Sequence, residues 1–121
     1  MNLIFTLISF LLLPNPATEK CGVKVLSSYS QNVLGKNIGY YVELENKSGK
    51  TIDAIQWTAT FTNNFGDEKG VRKGEWSSGN FISPVEDGEK IIDLEGVWVE
   101  EATKISIQID RIHFTDDSLC D

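Results

Sequence analysis

His113 is the one histidine of the chain, and Asp116 and Ser118 follow it closely. A serine, a histidine and an aspartate make a nucleophile when the imidazole can take the hydroxyl proton and the carboxylate orients the ring. The local pattern argues against that use. Asp116 and Ser118 are turn-forming residues, and His113 has the parity opposite to Ile112 and Phe114, which puts it on the solvent side of its strand. Two cysteines, Cys21 and Cys120, stand far apart. With no C-x-x-C spacing and a single histidine they cannot complete a zinc site. The acids Glu100, Glu101, Asp116, Asp117 and Asp121 could supply oxygens, but calcium needs several around one point, and no EF-hand loop or Asp-Gly repeat is present. Paired carboxylates for glycoside hydrolysis need a defined facing geometry that the pattern does not specify. The glycines are scattered turn formers without a phosphate-binding loop. The residues therefore point to no enzyme, no metal site and no cofactor.

Aromatic side chains are the remaining candidates for a site. Trp57 shares its parity with Ile55, Ala59 and Phe61, so it reads as core, and Tyr40 does likewise. Tyr41 has the wet parity, shared with Glu43. Trp98 lies between Val97 and Val99, so either it or the valines must face out. Trp76 precedes Ser77-Ser78-Gly79, close to a loop. Exposed flat rings can stack on a sugar or anchor a protein interface. Tyr41, Trp76 and Trp98 are accordingly the candidate binding residues, with Glu43 and Gln56 as a polar rim. The alternative is that Trp76 and Trp98 complete the core at its edges.

These residues must be positioned by strands. From Ile38, the residues Ile38, Tyr40, Val42 and Leu44 share one parity, and in the next run Ile55, Trp57, Ala59 and Phe61 do the same. A period of two gives each strand a dry and a wet face, as in an antiparallel sheet covered on one side. The polar cluster Asn46-Lys47-Ser48-Gly49-Lys50 joins the two runs as a turn. It also contains a glycosylation sequon at Asn46, which the turn explains more simply. Val23 and Val25 open the domain as a short strand, and the polar segment from Ser28 to Asn37 reads as a connection. Val71 to Trp76 predicts a further strand. Phe81-Ile82 starts an element that Pro84 ends. Lys90 to Leu94 and Val97 to Val99 read as strand pieces around Gly96.

In Lys104 to Phe114 the phase breaks, because Ile105, Ile107 and Ile109 share one parity while Ile112 and Phe114 share the other. A β-bulge near Asp110-Arg111 would repair it, the alternative being a strand that switches neighbours and is buried on both faces there. About seven short strands with polar turns predict an all-β fold, an immunoglobulin-like antiparallel β-sandwich.

The chain has 121 residues, 40% hydrophobic and 24% charged, with a formal net charge of −7. That is one domain of ordinary globular composition. The acidic balance argues against nucleic acid, since no basic patch is available for phosphates. Leu3 to Leu13 is apolar apart from Thr6 and Ser9. It is too short for a bilayer span of ~20 residues and fits the apolar region of a signal peptide, although no Lys or Arg precedes it. The expected division is a signal peptide over 1–17 and the sandwich over 18–121. Thr18, Glu19 and Lys20 precede Cys21, unlike the small or apolar residues of a lipidation motif, so no stable membrane anchor is expected after signal removal. An even cysteine count in an exported chain reads as one disulfide, Cys21 to Cys120.

The segment from Tyr40 to Gly66 resembles small bacterial immunoglobulin-like domains of the FxLYD type. The matching residues are Asn46, Ser48, Gly49, Ile55, Phe61 and Gly66, and the C-terminal run ISIQIDRIHFTDD is similar to the last strand and acidic turn of such exported domains. Where that family has its naming run, this chain carries Thr62-Asn63-Asn64-Phe65. The resemblance covers about half of the chain. It implies an extracytoplasmic β-sandwich, and it carries over no catalytic or ligand-binding residue. The expectation is a periplasmic or secreted, non-enzymatic binding or accessory module whose partner is a protein or a glycan. The alternative is a small secreted inhibitor of a hydrolase.

Overall fold

The computed structural model describes residues 19–34 and 36–121, so the leader expected over 1–17 lies outside the described residues. Eight strands follow one another: β1 (Glu19–Lys20), β2 (Val23–Val33), β3 (Lys36–Asn46), β4 (Ile52–Thr62), β5 (Glu68–Ser77), β6 (Lys90–Glu100), β7 (Lys104–Phe114) and β8 (Leu119–Cys120). They form two antiparallel sheets with strand orders β1-β2-β3-β6 and β5-β4-β7-β8. The protein is an all-β sandwich. The polar stretch expected to be a connection instead extends β2 to Val33 and opens β3 at Lys36, a hairpin whose strands pair along most of their length. The pieces around Gly96 are one strand, β6. No strand starts at Phe81-Ile82; that segment is exposed loop, and only Val85 beyond it bridges to Ile52.

The alternating runs bury the faces that their parity marks. Tyr40, Val42 and Leu44 from β3 meet Ile55, Trp57, Ala59 and Phe61 from β4 in the core. Ile38 departs from the pattern. The β2–β3 and β3–β6 pairings both slip near Asn37, so Asn37 turns inward, its Oδ1 accepting from the Gly39 N–H at 2.7 Å, and Ile38 turns out to solvent. A bulge shifts the phase by one residue and so inverts the face. The same device acts in β7, where the register slips between Gln56 and Trp57 of β4, with Asp110 unpaired between Ile109 and Arg111. Ile107 and Ile109 before the bulge and Ile112 and Phe114 after it are therefore all buried.

The Asn46 turn ties the two sheets together. The Asn46 side chain is buried; its amide donates to the carbonyls of Lys50 and Val85, and its oxygen accepts from the Ser48 N–H and hydroxyl. Gly49 takes φ 81°, where a Cβ would be strained. With its amide so engaged, Asn46 is a structural asparagine and not an exposed glycan acceptor.

Candidate functional site

The outer face of the β1-β2-β3-β6 sheet carries two exposed aromatics, Tyr29 and Trp98, and the half-buried Tyr41, while the exposed Phe65 and Phe81 lie in loops. Antiparallel register sets Tyr29 of β2 beside Tyr41 of β3 and Tyr41 beside Leu94 of β6. The two tyrosine rings stack, with centroids 4.7 Å apart and planes 18° apart. The Tyr41 hydroxyl donates to Glu43 at 2.9 Å. That bond to a carboxylate holds the phenol proton and pushes the Tyr41 pKa up. One row along, Ile92 stands beside Glu43, and Lys90 pairs with Glu43 at 3.6 Å.

Gly96 and its cross-strand neighbour Gly39 put no side chain between Leu94 and Trp98, and a Cβ at Gly96 would meet only open space. Trp98, on the same parity, closes the far side with the Lys36 ammonium 5.1 Å from its ring. Tyr29, Ile92, Leu94 and Trp98 are 52%, 60%, 62% and 57% exposed. The result is a two-ended apolar surface with a glycine floor and a rim of Glu43, Lys90 and Lys36. Sheet faces of folded monomers expose apolar side chains singly; contiguous ones mark contact surfaces.

The structure therefore places Tyr41 and Trp98 on one face and adds Tyr29, Ile92 and Leu94. Trp76 is not on it. It sits on β5 in the other sheet, half-buried and packed against the core. Gln56 likewise lies on the outer face of the second sheet, beside Glu75 and Arg111. Tyr29 was hidden in sequence by the polar company of Ser27, Ser28, Ser30 and Gln31. Only its register opposite Tyr41 gives it a role.

His113 lies half-exposed on the outer face of the second sheet. Its Nδ1 is 2.6 Å from Asp53 and its Nε2 is 3.7 Å from Asp117. The Ser118 hydroxyl and N–H both donate to Asp116 and hold that carboxyl well below its usual range, at about 2. The imidazole thus faces two carboxylates, and the serine serves the turn. A nearby cleft of about 400 Å³ is lined by Gln56, Lys73, Glu75, Asp110 and Arg111. Lys73 pairs there with Asp110, and Arg111 with Asp121. Among the described residues, no three His, Cys, Asp or Glu side chains gather around one point as a metal would need.

Cys21 and Cys120 are joined in a disulfide, with Cα atoms 6.6 Å apart and a sequence separation of 99. Such a bond belongs to an oxidising environment.

No family model matches the chain, and no curated protein matches it. The resemblance to FxLYD-type domains accordingly rests on strand and turn pattern. Among solved structures, the chain is similar to a DUF1425 family member from Shewanella sp. pv-4. The likeness has a TM-score of 0.51 at 14% identity and covers 81% of this chain and 84% of that one. At that identity it shows the fold alone, a β-sandwich whose bacterial representative belongs to a family of unknown function.

Proposed function

We propose that this protein is an exported, non-enzymatic binding module that uses the outer face of the β1-β2-β3-β6 sheet to contact another protein. The observation that carries this reading is the exposure of Tyr29, Ile92, Leu94 and Trp98 on one sheet face, with the half-buried Tyr41 stacked against Tyr29. Rigid aromatics at the centre of a patch with charged groups at its rim are the usual anchors of a protein interface. The aliphatic Ile92 and Leu94 favour a protein surface over a sugar, which would stack on the rings but gain little from branched side chains. The disulfide supports export, since it needs an oxidising compartment to persist.

Capture from an envelope extract tests this. The wild-type chain should retain a protein that Tyr29→Ala/Tyr41→Ala and Trp98→Ala release, with the circular dichroism of the variants unchanged. Binding of soluble cell-wall glycan with the same residue dependence would replace the protein partner by a sugar. Retention of the partner by both variants would remove this face from the function.

A further inference from the structure

β6 is an edge strand; among the described residues it pairs only with β3. Edge strands present unpaired N–H and C=O groups and are usually blunted by Lys, Pro, bulges or inward-pointing charges. Between its ends β6 has neither Lys nor Pro, although its pairing with β3 slips between Gly96 and Val99, and its outward residues Ile92, Leu94 and Trp98 are exposed. It does carry inward charges. Asp93 and Glu95 share the inner parity of Ile91, Val97 and Val99, and lie opposite Val42 and Tyr40 of β3. At an edge, such carboxylates can still reach water along the open side. A further strand would close that side.

We propose that two copies of this chain join β6 to β6, antiparallel, about a two-fold axis through Glu95, and that the Glu95 carboxyl gates the joint. The register is argued from the strand itself. With Glu95 opposite Glu95 of the second copy, Lys90 falls opposite Glu100, Ile91 opposite Val99, Ile92 opposite Trp98, Asp93 opposite Val97 and Leu94 opposite Gly96. The end pair is oppositely charged, and Ile91 with Val99, Ile92 with Trp98 and Leu94 with Gly96 are apolar; Asp93 faces Val97, and only the central pair sets like charges together. A two-fold contact must be self-complementary in this way.

The backbone agrees. The Glu95 carbonyl is turned toward Gly39 of β3, so the free polar groups of the regular part of the edge belong to Ile92, Leu94 and Gly96. In the joint, Leu94 and Gly96 would exchange hydrogen bonds. The two Glu95 residues would fall in the close, non-hydrogen-bonded position, with Cα atoms ~4.5 Å apart. Two carboxylates there repel strongly, whereas a carboxyl and a carboxylate share a proton.

Glu95 is poised for such a role. Burial, a hydrogen bond with Asp93 and the Asp93 charge push its pKa up to about 7. A proton on Glu95 also supplies the donor that the buried Oδ2 of Asp93 otherwise lacks. The Tyr40 hydroxyl from β3 also lies near it, and Arg72 of β5 is turned to the Val71 and Trp98 carbonyls, to which it donates. Protonation removes one of two adjacent negative charges from the strand that must be covered. The joined sheets would run as one eight-stranded sheet and double the aromatic face.

Sedimentation velocity of the disulfide-bonded chain at roughly one pH unit either side of the Glu95 titration tests the proposal. Association should be roughly tenfold tighter at the lower pH. Glu95→Gln should associate equally at both, and Ile92→Lys at neither. Lys90→Glu should weaken the dimer, and Lys90→Glu/Glu100→Lys should restore it, which fixes the register. Circular dichroism shows that each variant is folded. A monomer at the lower pH for both wild type and Glu95→Gln overturns the proposal. So does association that survives Ile92→Lys, or a charge swap that fails to restore it.

Discussion

The indole N–H of Trp57 donates to the hydroxyl of Tyr40 at 2.9 Å, joining β4 of one sheet to β3 of the other through the middle of the core. Both side chains are buried, and the Tyr40 ring meets Phe61 edge-on, with centroids 5.7 Å apart. The bond lets two polar atoms lie between the sheets without loss. Burial pushes the Tyr40 pKa up, so the phenol stays neutral.

Tyr40→Phe should therefore cost ~1–3 kcal/mol, because it leaves the buried indole N–H unpaired while preserving volume. Trp57→Ala should cost ~3–5 kcal/mol by opening a cavity. Chemical denaturation measures both. A loss under about 0.5 kcal/mol for Tyr40→Phe, as at an ordinary surface site, would mean that the bond contributes nothing.

Gly74 lies over this pair. A Cβ built there would fall 2.1 Å from the Trp57 Nε1 and 2.7 Å from the Tyr40 hydroxyl oxygen. Gly74→Ala should destabilise by ~1–3 kcal/mol through overpacking, although β5 is an extended strand in which Ala is normally harmless. Near-ultraviolet circular dichroism should show the displaced indole. An unchanged spectrum with unchanged stability would disprove the close approach.

Glu95 sets a pH dependence of stability. Its pKa in the folded chain is raised from 4.5 to about 7, so the folded state holds the proton more tightly than the unfolded state does. The stabilisation is present in full below about 4.5 and is lost as pH rises through about 7. The side chain is only partly buried, so solvent screens it and the loss amounts to roughly 1 kcal/mol. Melting of Ile92→Lys, which removes any contribution from association, should fall in stability over that window. The same measurement on Ile92→Lys/Glu95→Gln should be flat. A flat curve for both would place the Glu95 titration outside the window.

The disulfide closes nearly the whole described chain into a loop. Removing it as Cys21→Ser/Cys120→Ser should cost ~2–4 kcal/mol, mainly by freeing the unfolded chain. Protein taken from its native compartment should have no free thiol and should lack the leader by intact mass. Retention of Met1, or two free thiols, would count against export.

The two central strands were legible in the sequence because each has one wet and one dry face. Tyr40, Val42 and Leu44, and then Ile55, Trp57, Ala59 and Phe61, can be buried together only as strands. The phase break between Ile109 and Ile112 announced its bulge for the same reason, since apolar residues on both parities of a half-exposed strand need a shift between them. The bulge at Asn37 gave no such signal. Ile38 fitted the alternation, and only pairing with both neighbouring strands turned it outward.

β6 was ambiguous from the start. Its two parities carry Ile91, Val97 and Val99 against Ile92, Leu94 and Trp98, and its acids fall among the first set. Local pattern cannot decide between two apolar faces. Tertiary packing chose the set that shares the inner sheet face with Tyr40, Val42 and Leu44, and so sent Trp98 into solvent and Asp93 and Glu95 inward. The site belongs to the same category. Tyr29 and Tyr41 are twelve residues apart in sequence, and Leu94 is far beyond both. Cross-strand register alone makes them neighbours, because contacts across a sheet depend on strand order, which no single strand encodes.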